Sequence, residues 1–242
     1  MKLFIAIDDT DNPNTIGTGR LSRMLAAELH KRGLISQASV TRHQFLVHPD
    51  IPYTSHNSSA CLEAEGLADA DQVFEAAKEF MLANLHEEAN PGLCLAPEGA
   101  VPASLVDLGR RAQKQVLKVE EGYGLAETPG LRTWRHGPTG QGIIGALSGV
   151  GLRSTGDDGR FIELQGIREI GGVLTVDDII AQTAVTSVVS DTGQELAGNE
   201  RVDTLDWIRP TLREGSPVME VESRDGVWQP KGKKKKKGSA KK

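Results

Sequence analysis

Leu3-Phe4-Ile5-Ala6-Ile7-Asp8-Asp9-Thr10-Asp11, followed by Gly17-Thr18-Gly19, is the stretch on which the reading of this chain turns. Its five consecutive apolar residues read as a strand buried on both faces, and the run ends in three acids within four positions. Carboxylates this close repel one another and resist burial. A hard cation such as Mg2+ would offset both costs and could carry a polyphosphate. Gly17 and Gly19 let backbone N–H groups approach an anion where the next helix begins, with the Thr18 hydroxyl at or near its cap. Together they make a candidate metal-nucleotide site. Composition alone is equally consistent with solvated loop acids and glycines that only turn the chain.

Outward from this stretch, Leu21, Met24, Leu25 and Leu29 fall on one helical face, and Gly33 supplies a C-terminal stop. Residues 39–47 read as a strand, completing a β-loop-α-β unit. His56, Asn57, Ser58 and Ser59 then offer neutral donors and acceptors suited to a ribose, a base edge or phosphate oxygens; a turn and strand cap use the same residue types. A strand is expected over 60–64. Asp69 and Gln72 stand at capping-box spacing before a helix extending to about residue 89. A short strand follows at 93–96. Ser104 and Asp107 suggest a second capping box, with the helix broken by Gly122-Tyr123-Gly124.

Residues 126–141 read as a loop in which Trp134 and Arg135 either face a base and a phosphate or anchor a linker. Five glycines fall within the twelve positions 140–151, interleaved with Ile, Leu and Val. They describe a helix over 143–149 against which another backbone lies, and its N-terminal end is a second candidate phosphate cradle. The spacing is neither a P-loop nor a dinucleotide fingerprint. A strand over 160–165 follows, then a helix opened by Thr175 and Asp178 with Ile179, Ile180, Thr183, Ala184 and Val188 on its buried face. Strands are expected at 217–222 and 226–228.

The 242 residues carry a formal charge of −5. Eight of the 28 basic residues lie in 231–242, so the rest of the chain holds 20 bases against 33 acids, or −13. Such a body does not advertise a broad nucleic-acid surface. The lysine-rich tail at 231–242 is expected to be disordered, since like charges repel and no apolar group repays ordering. Cys61 and Cys94 are too few for a disulfide scaffold or a thiolate zinc site, and read as buried free thiols. No segment reads as a secretory signal or membrane span, which points to the cytoplasm.

Three segments together resemble the archaeal tRNA-isoleucine agmatinylcytidine synthetase family: Ile7-Asp8-Asp9-Thr10-Asp11 with Gly17-Thr18-Gly19, residues 51–59, and Gly142-Ile143-Ile144-Gly145-Ala146-Leu147. The likeness is to the family's amino-terminal kinase-like and ferredoxin-like modules and spans about residues 3–222. It implies an α/β and α+β chain, with a kinase-like β/α module at 1–125 and a ferredoxin-like module at 126–230. In that family ATP activates a wobble cytidine for attack by agmatine, and the kinase-like module carries an autophosphorylated threonine. By position, Asp8, Asp9 and Asp11 resemble the Mg2+-phosphate carboxylates, and Asp8, Asp9 and Thr18 the catalytic set. Gly17, Thr18, Gly19, Asn57, Ser58, Gly142 and Gly145 resemble the nucleotide-binding set. The resemblance also brings Thr18 toward Gly142 in a cleft near the junction of the modules.

The sequence departs from that family in three ways. The oligonucleotide-binding barrel and cysteine-rich zinc ribbon of the full-length enzymes have no counterpart here, Gly17 replaces the cysteine that commonly precedes the loop threonine, and Thr54-Ser55-His56 stands where the tRNA enzymes are more basic. The leading expectation is therefore an ATP- and Mg2+-dependent phosphotransferase or ligase-like enzyme acting on an unidentified small molecule. One alternative keeps the agmatine-cytidine tRNA chemistry with a partner supplying the RNA grip. The other is a noncatalytic RNA-associated or structural protein.

Overall fold

Residues 3–7 form the centre of a strand, β1 (Lys2–Asp8), and all five are buried. The computed structural model describes residues 1–10, 16–51, 57–86 and 88–232, and the chain divides into two compact units, Met1–Glu163 and Leu164–Lys242. The first unit continues with α1 (Thr18–Lys31), β2 (Ser39–Gln44), β3 (Ser58–Glu65), α2 (Ala70–Asn84) and β4 (Gly92–Pro97). It is completed by α3 (Ala103–Ala112), α4 (Val119–Ala126), β5 (Arg132–Arg135), α5 (Gly142–Ser154) and β6 (Arg160–Glu163). Its strands lie in the order β5-β4-β1-β3-β2-β6, each neighbour antiparallel to the next.

Alternation along β1 divides the core between two faces. Leu3, Ile5 and Ile7 meet Leu21, Leu25 and Leu29 of α1 and Val73, Ala77 and Met81 of α2. Phe4 and Ala6 meet Leu105 and Leu108 of α3 and Ile143, Ala146, Leu147 and Val150 of α5. With helices on both faces, β1 reads as an unbroken apolar run although its sheet is antiparallel. Burying each large side chain contributes roughly 1.5–3 kcal/mol, so Ile5→Ala removes a contact at the centre of the unit.

Local signals set the helix ends. Asp69 and Gln72 close the expected capping box at the start of α2. At the end of α1, Gly33 has φ +69°. The Gly33 N–H donates to His30 O (2.9 Å) and the Leu34 N–H to Leu29 O (3.1 Å), a Schellman pattern. Ser104 and Asp107 do not cap α3: Pro102 occupies the cap position, and Asp107 pairs with Arg111 at 2.8 Å. Gly122 and Gly124 do not break a helix but lie inside α4. At Gly122 an added Cβ would sit 2.9 Å from Ile144 Cγ1, so the glycine allows α4 to approach α5. Residues 132–135, expected in a loop, are strand β5 beside β4.

The second unit contains β7 (Val173–Thr175), α6 (Val176–Gln182), β8 (Ser187–Ser190), β9 (Arg201–Asp203), β10 (Thr211–Arg213), β11 (Ser216–Arg224) and β12 (Val227–Pro230). Its strand order is β10-β11-β12-β9-β7, with β8 parallel to β11. Glu214-Gly215 and Asp225-Gly226, all at positive φ, make the two tight hairpin turns of β11. Thr175 and Asp178 cap α6 as expected. Val188 falls in β8 rather than on the helix, which ends at Gln182.

The division at Glu163/Leu164 differs from the boundary expected near residue 125. β5 pairs with β4, α5 packs on β1, β3 and β4, and β6 pairs with β2, which ties residues 132–163 into the first unit. The β-α-β-β-α-β path with order β4-β1-β3-β2, the connectivity of a ferredoxin-like unit, runs through residues 2–97 and not 126–230. Residues 233–242, nearly all of the lysine-rich tail, lie outside the described residues. Among the described residues no helix is long and apolar enough to cross a membrane.

Candidate functional site

Phe4, Ala6 and Asp8 leave β1 on the face covered by α5, and the glycines of α5 follow them. An added Cβ at Gly149 would lie 3.3 Å from Ala6 Cβ, and one at Gly145 would lie 1.7 Å from Asp8 Oδ2. Four helical residues rise about 6 Å and two strand residues about 6.8 Å, so positions 145 and 149 keep step with 8 and 6. Gly145 is thus the space in which the Asp8 carboxylate lies. Gly142 packs against main chain instead, where its Cβ would meet Gly92 N at 2.6 Å and Asp8 O at 2.7 Å.

Asp9 follows in the left-handed region at φ +52°, a conformation an Asp tolerates at modest cost. Its N–H donates to Asp8 Oδ1 (2.8 Å), and its Oδ2 accepts from Gln141 Nε2 (3.1 Å). Thr10 is 2% exposed, and its hydroxyl donates to Thr18 Oγ1 at 3.0 Å. Thr18 opens α1 after Gly17, which caps through no side chain, and the first turn carries no acid. Its N-terminus therefore keeps the positive end of its dipole uncompensated by side-chain charge on that turn.

The ends of β1, α1 and α5 thus converge inside the first unit. The structure brings Asp8, Asp9, Thr18, Gly142 and Gly145 together, while Asp11 and His56 lie outside the described residues. Both halves of this cluster belong to Met1–Glu163, so it lies within one unit and not at the junction expected near residue 125. Among the described residues no group of three or more His, Cys, Asp or Glu could hold a metal. Asp8 and Asp9 are nonetheless hard oxygen donors of the kind Mg2+ takes.

Other expected ligands serve the fold. The opening N–H groups of α5 are bonded, Gly142 to Asn90 O (2.9 Å), Ile143 to Gly140 O (3.2 Å) and Ile144 to Gln141 O (3.1 Å), so they form no phosphate cradle. Asn57 Nδ2 donates to Leu46 O (2.7 Å), and its carbonyl accepts from Phe45 N–H and Gln44 Nε2, each at 2.8 Å. This is the strand-cap alternative. Ser58 pairs with Gln44 in the sheet, and Ser59 is buried beneath Gly149. The Arg135 guanidinium lies 4.2 Å from the Tyr123 ring centroid, and Trp134 stacks on His136 at 5.6 Å.

Sequence reasoning passed over Thr10, Gln141 and His43. Thr10 and Gln141 hold the acid loop, but nothing in their spacing marks them. His43 is fully buried, with Nδ1 2.8 Å from Asp158 Oδ1 and Nε2 2.9 Å from Thr41 Oγ1. Burial holds its imidazole below the ordinary range, with Asp158 opposing. Burial alone would raise Asp158, but the hydrogen bond and charge of His43, with Gln113 and Arg110, hold it low. This cluster ties β2 to α3 and to the turn before β6. Cys61 and Cys94 stand opposite Ala6 on either side of β1, about 9.6 Å apart at two strand spacings, too far for a disulfide. Burial pushes the Cys61 thiol up to about 12 and raises Cys94 as well.

With this geometry in view, the chain can be compared with known proteins. No family model matches it. Over 160 residues it is 31% identical to the isoleucine-tRNA 2-agmatinylcytidine synthetase TiaS of Pyrococcus horikoshii, covering 62% of this chain and 36% of that protein. The chain resembles the archaeal agmatinylcytidine synthetases. The enzyme of the same name from Methanocorpusculum labreanum is 31% identical over 153 residues, covering 61% of this chain and 34% of its own. The chain thus spans about a third of the length of the curated relatives it matches. In fold it is similar to crystal structures described as apo TiaS, an isoleucine-tRNA agmatidine synthetase (TM-score 0.53), and a tRNA fluorescent labeling enzyme (TM-score 0.55). Each is 24% identical and covers 62% of this chain; the shares of the solved chains are 35% and 36%.

Proposed function

We propose that this chain carries the ATP- and Mg2+-binding part of an agmatine-cytidine tRNA modification, with RNA anchoring supplied by another domain or partner. The observation that supports it most is the holding of Asp8 and Asp9 against the start of α5, beside Thr10, whose hydroxyl donates to Thr18 at the start of α1, in a chain 31% identical over 160 residues to an agmatinylcytidine synthetase. In this reading Asp8, Asp9 and Asp11 hold Mg2+, which would neutralise the charge of bound ATP phosphates. Thr18 and the Gly17-Thr18-Gly19 backbone face a phosphate. Gly142 and Gly145 contribute by allowing α5 to press against Gly92 and Asp8.

The chain's own residues account for positioning. Gln141 fixes the Asp9 carboxylate, Thr10 fixes the Thr18 hydroxyl, and Gly145 sets where Asp8 stands. A fixed acid pair beside an uncapped helix start lowers the cost of ordering a charged substrate. The relatives' names supply tRNA and agmatinylcytidine, whereas a body at −13 outside residues 231–242 explains why an RNA grip would come from elsewhere. The test is ATP consumption by the purified chain with Mg2+, agmatine and an isoleucine-tRNA transcript, alone and with cell extract. Agmatine-dependent turnover lost in Asp8→Ala supports the reading. Turnover that needs neither agmatine nor tRNA returns the chain to the small-molecule phosphotransferases.

A further inference from the structure

Ser59 is fully buried on β3, and among the described residues its hydroxyl has no hydrogen-bond partner. Taking a hydroxyl out of water without a compensating bond is unfavourable, and a buried group left so calls for a reason. Packing supplies none, since an alanine would fill nearly the same space without that cost. The neighbours of Ser59 in the sheet supply one.

The β1–β3 register runs from Lys2 opposite Glu65 to Ile7 opposite Ala60, so the next pair is Asp8 and Ser59. Both leave the sheet toward α5, where an added Cβ on Gly145 would lie 1.7 Å from Asp8 Oδ2 and one on Gly149 would lie 2.5 Å from Ser59 Oγ. Directly opposite residues of an antiparallel pair have Cβ atoms about 4.5–5.5 Å apart, a span that a hydroxyl and a carboxylate can bridge. On its other flank Asp8 stands opposite Gly92, which offers no side chain. The other neighbour of Ser59 in this row is His43 on β2. Both its ring nitrogens are engaged, Nδ1 with Asp158 at 2.8 Å and Nε2 with Thr41 at 2.9 Å. A carboxylate has about four acceptor positions, and the Asp9 N–H takes one of those on Asp8. Along its own row, the Ser59 hydroxyl is therefore directed to Asp8.

We infer that Ser59 is a positioning residue for Asp8, its hydroxyl turning about the Cα–Cβ bond to donate to the carboxylate when Asp8 serves as a Mg2+ ligand. The inference deepens the proposed function and rests on it for the metal and the nucleotide. A carboxylate that ligates a cation through one oxygen is oriented by what holds its other oxygen, and loss of such an outer partner lowers metal affinity. Gly145 sets how close the Asp8 carboxylate lies to α5, and the Ser59 hydroxyl sets its rotation. Held against Gly149 without a partner, that hydroxyl destabilises the ligand-free chain, and the bond to Asp8 relieves the cost on loading.

The experiment titrates ATP into wild type, Ser59→Ala and Ser148→Ala across a Mg2+ series and in chelator, with urea unfolding of each chain measured without ligand. Ser148 is the control, another fully buried serine whose hydroxyl has no partner, on α5 with its carbonyl 2.9 Å from where a Gly109 Cβ would lie. Both variants should unfold at or above the wild-type urea midpoint, because each loses an unpaired buried hydroxyl. Ser59→Ala alone should need about ten- to hundredfold more Mg2+ for half-saturation, with its affinity for ATP in chelator unchanged. In crystals of wild type with Mg2+ and a nonhydrolysable ATP analogue, Ser59 Oγ should stand about 2.5–3.0 Å from an Asp8 carboxylate oxygen. An equal Mg2+ requirement in Ser59→Ala and wild type, an equal rise in Ser148→Ala, or a urea midpoint of Ser59→Ala below wild type overturns the positioning role. A wild type whose ATP binding shows no Mg2+ dependence overturns the metal reading on which the inference rests, so the two failures are read apart.

Discussion

Gly145→Ala tests whether α5 positions the Asp8 carboxylate. The added Cβ would lie 1.7 Å from Asp8 Oδ2, 2.6 Å from Cγ and 2.9 Å from Cβ, so the carboxylate must rotate away or the helix must lift. Lifting is opposed along the same helix face, because Gly142 already touches Gly92 and Asp8 main chain and Gly149 touches Ala6. Overpacking costs about 1–3 kcal/mol, and alanine recovers about 0.8–1 kcal/mol of helix propensity. The expected net destabilisation is therefore about 0–2 kcal/mol. The loss of Asp8 from its position should be larger in effect, a ten- to hundredfold weakening of Mg-ATP binding, as when the support of a metal ligand is removed. Gly142→Ala is the contrast: its Cβ meets only backbone, Gly92 N, Asp8 O and Asn90 O, and a side-chain rotation cannot relieve it. It should cost more than Gly145→Ala in urea unfolding. Calorimetric titration with Mg-ATP beside urea melts separates the two effects. Gly145→Ala with wild-type Mg-ATP affinity would refute the positioning of Asp8 by α5.

Further outcomes follow from the same geometry. His43 is held below its ordinary range, so between pH 6.5 and its folded value the unfolded chain binds more protons; stability is full above about pH 6.5 and falls as pH drops, with a slope of at most about 1.4 kcal/mol per unit. His43→Gln should remove that slope, and equal slopes in urea melts from pH 7 to 5 would count against it. Asp158 is also held low and adds a loss only at more acid pH, below about 3.8. Cys61 and Cys94, buried and with raised thiols, should not react with a thiol-specific reagent until urea unfolds the chain. Rapid labelling of either in the folded state contradicts their burial. Gln141→Ala removes one bond from Asp9 and should raise the Mg2+ concentration needed for ATP binding with little change in the unfolding midpoint.

The parts of this fold legible in the sequence are those set by neighbours along the chain. The run at residues 3–7, the Asp69/Gln72 and Thr175/Asp178 caps and the Gly33 stop each depend on bonds within a few positions, and each stands as expected. Strand order was not legible, because antiparallel pairing of β1 with β3 and β4 is a matter of distant hydrogen bonds. The glycines of α4 misled for a related reason. Gly122 looks like a helix breaker by propensity, yet it lies within a helix because Ile144 occupies the space a side chain would need. For Trp134 and Arg135 the residue types fitted both a ligand contact and a structural anchor, and only the structure shows His136 and Tyr123 already against them. At the site, the acids and Thr18 stood out as a local pattern. Gln141 and Thr10 became visible only when α5 and α1 were brought to the end of β1.

The most direct test of the account is a titration of ATP into wild type and Asp8→Ala, with Mg2+ and with chelator, read by calorimetry and by phosphorus NMR. The account predicts binding at least tenfold tighter with Mg2+ in wild type, about 1.4 kcal/mol, with that difference lost in Asp8→Ala. Equal affinity with and without Mg2+, or an unchanged Mg2+ dependence in Asp8→Ala, would contradict a metal-nucleotide site at the end of β1.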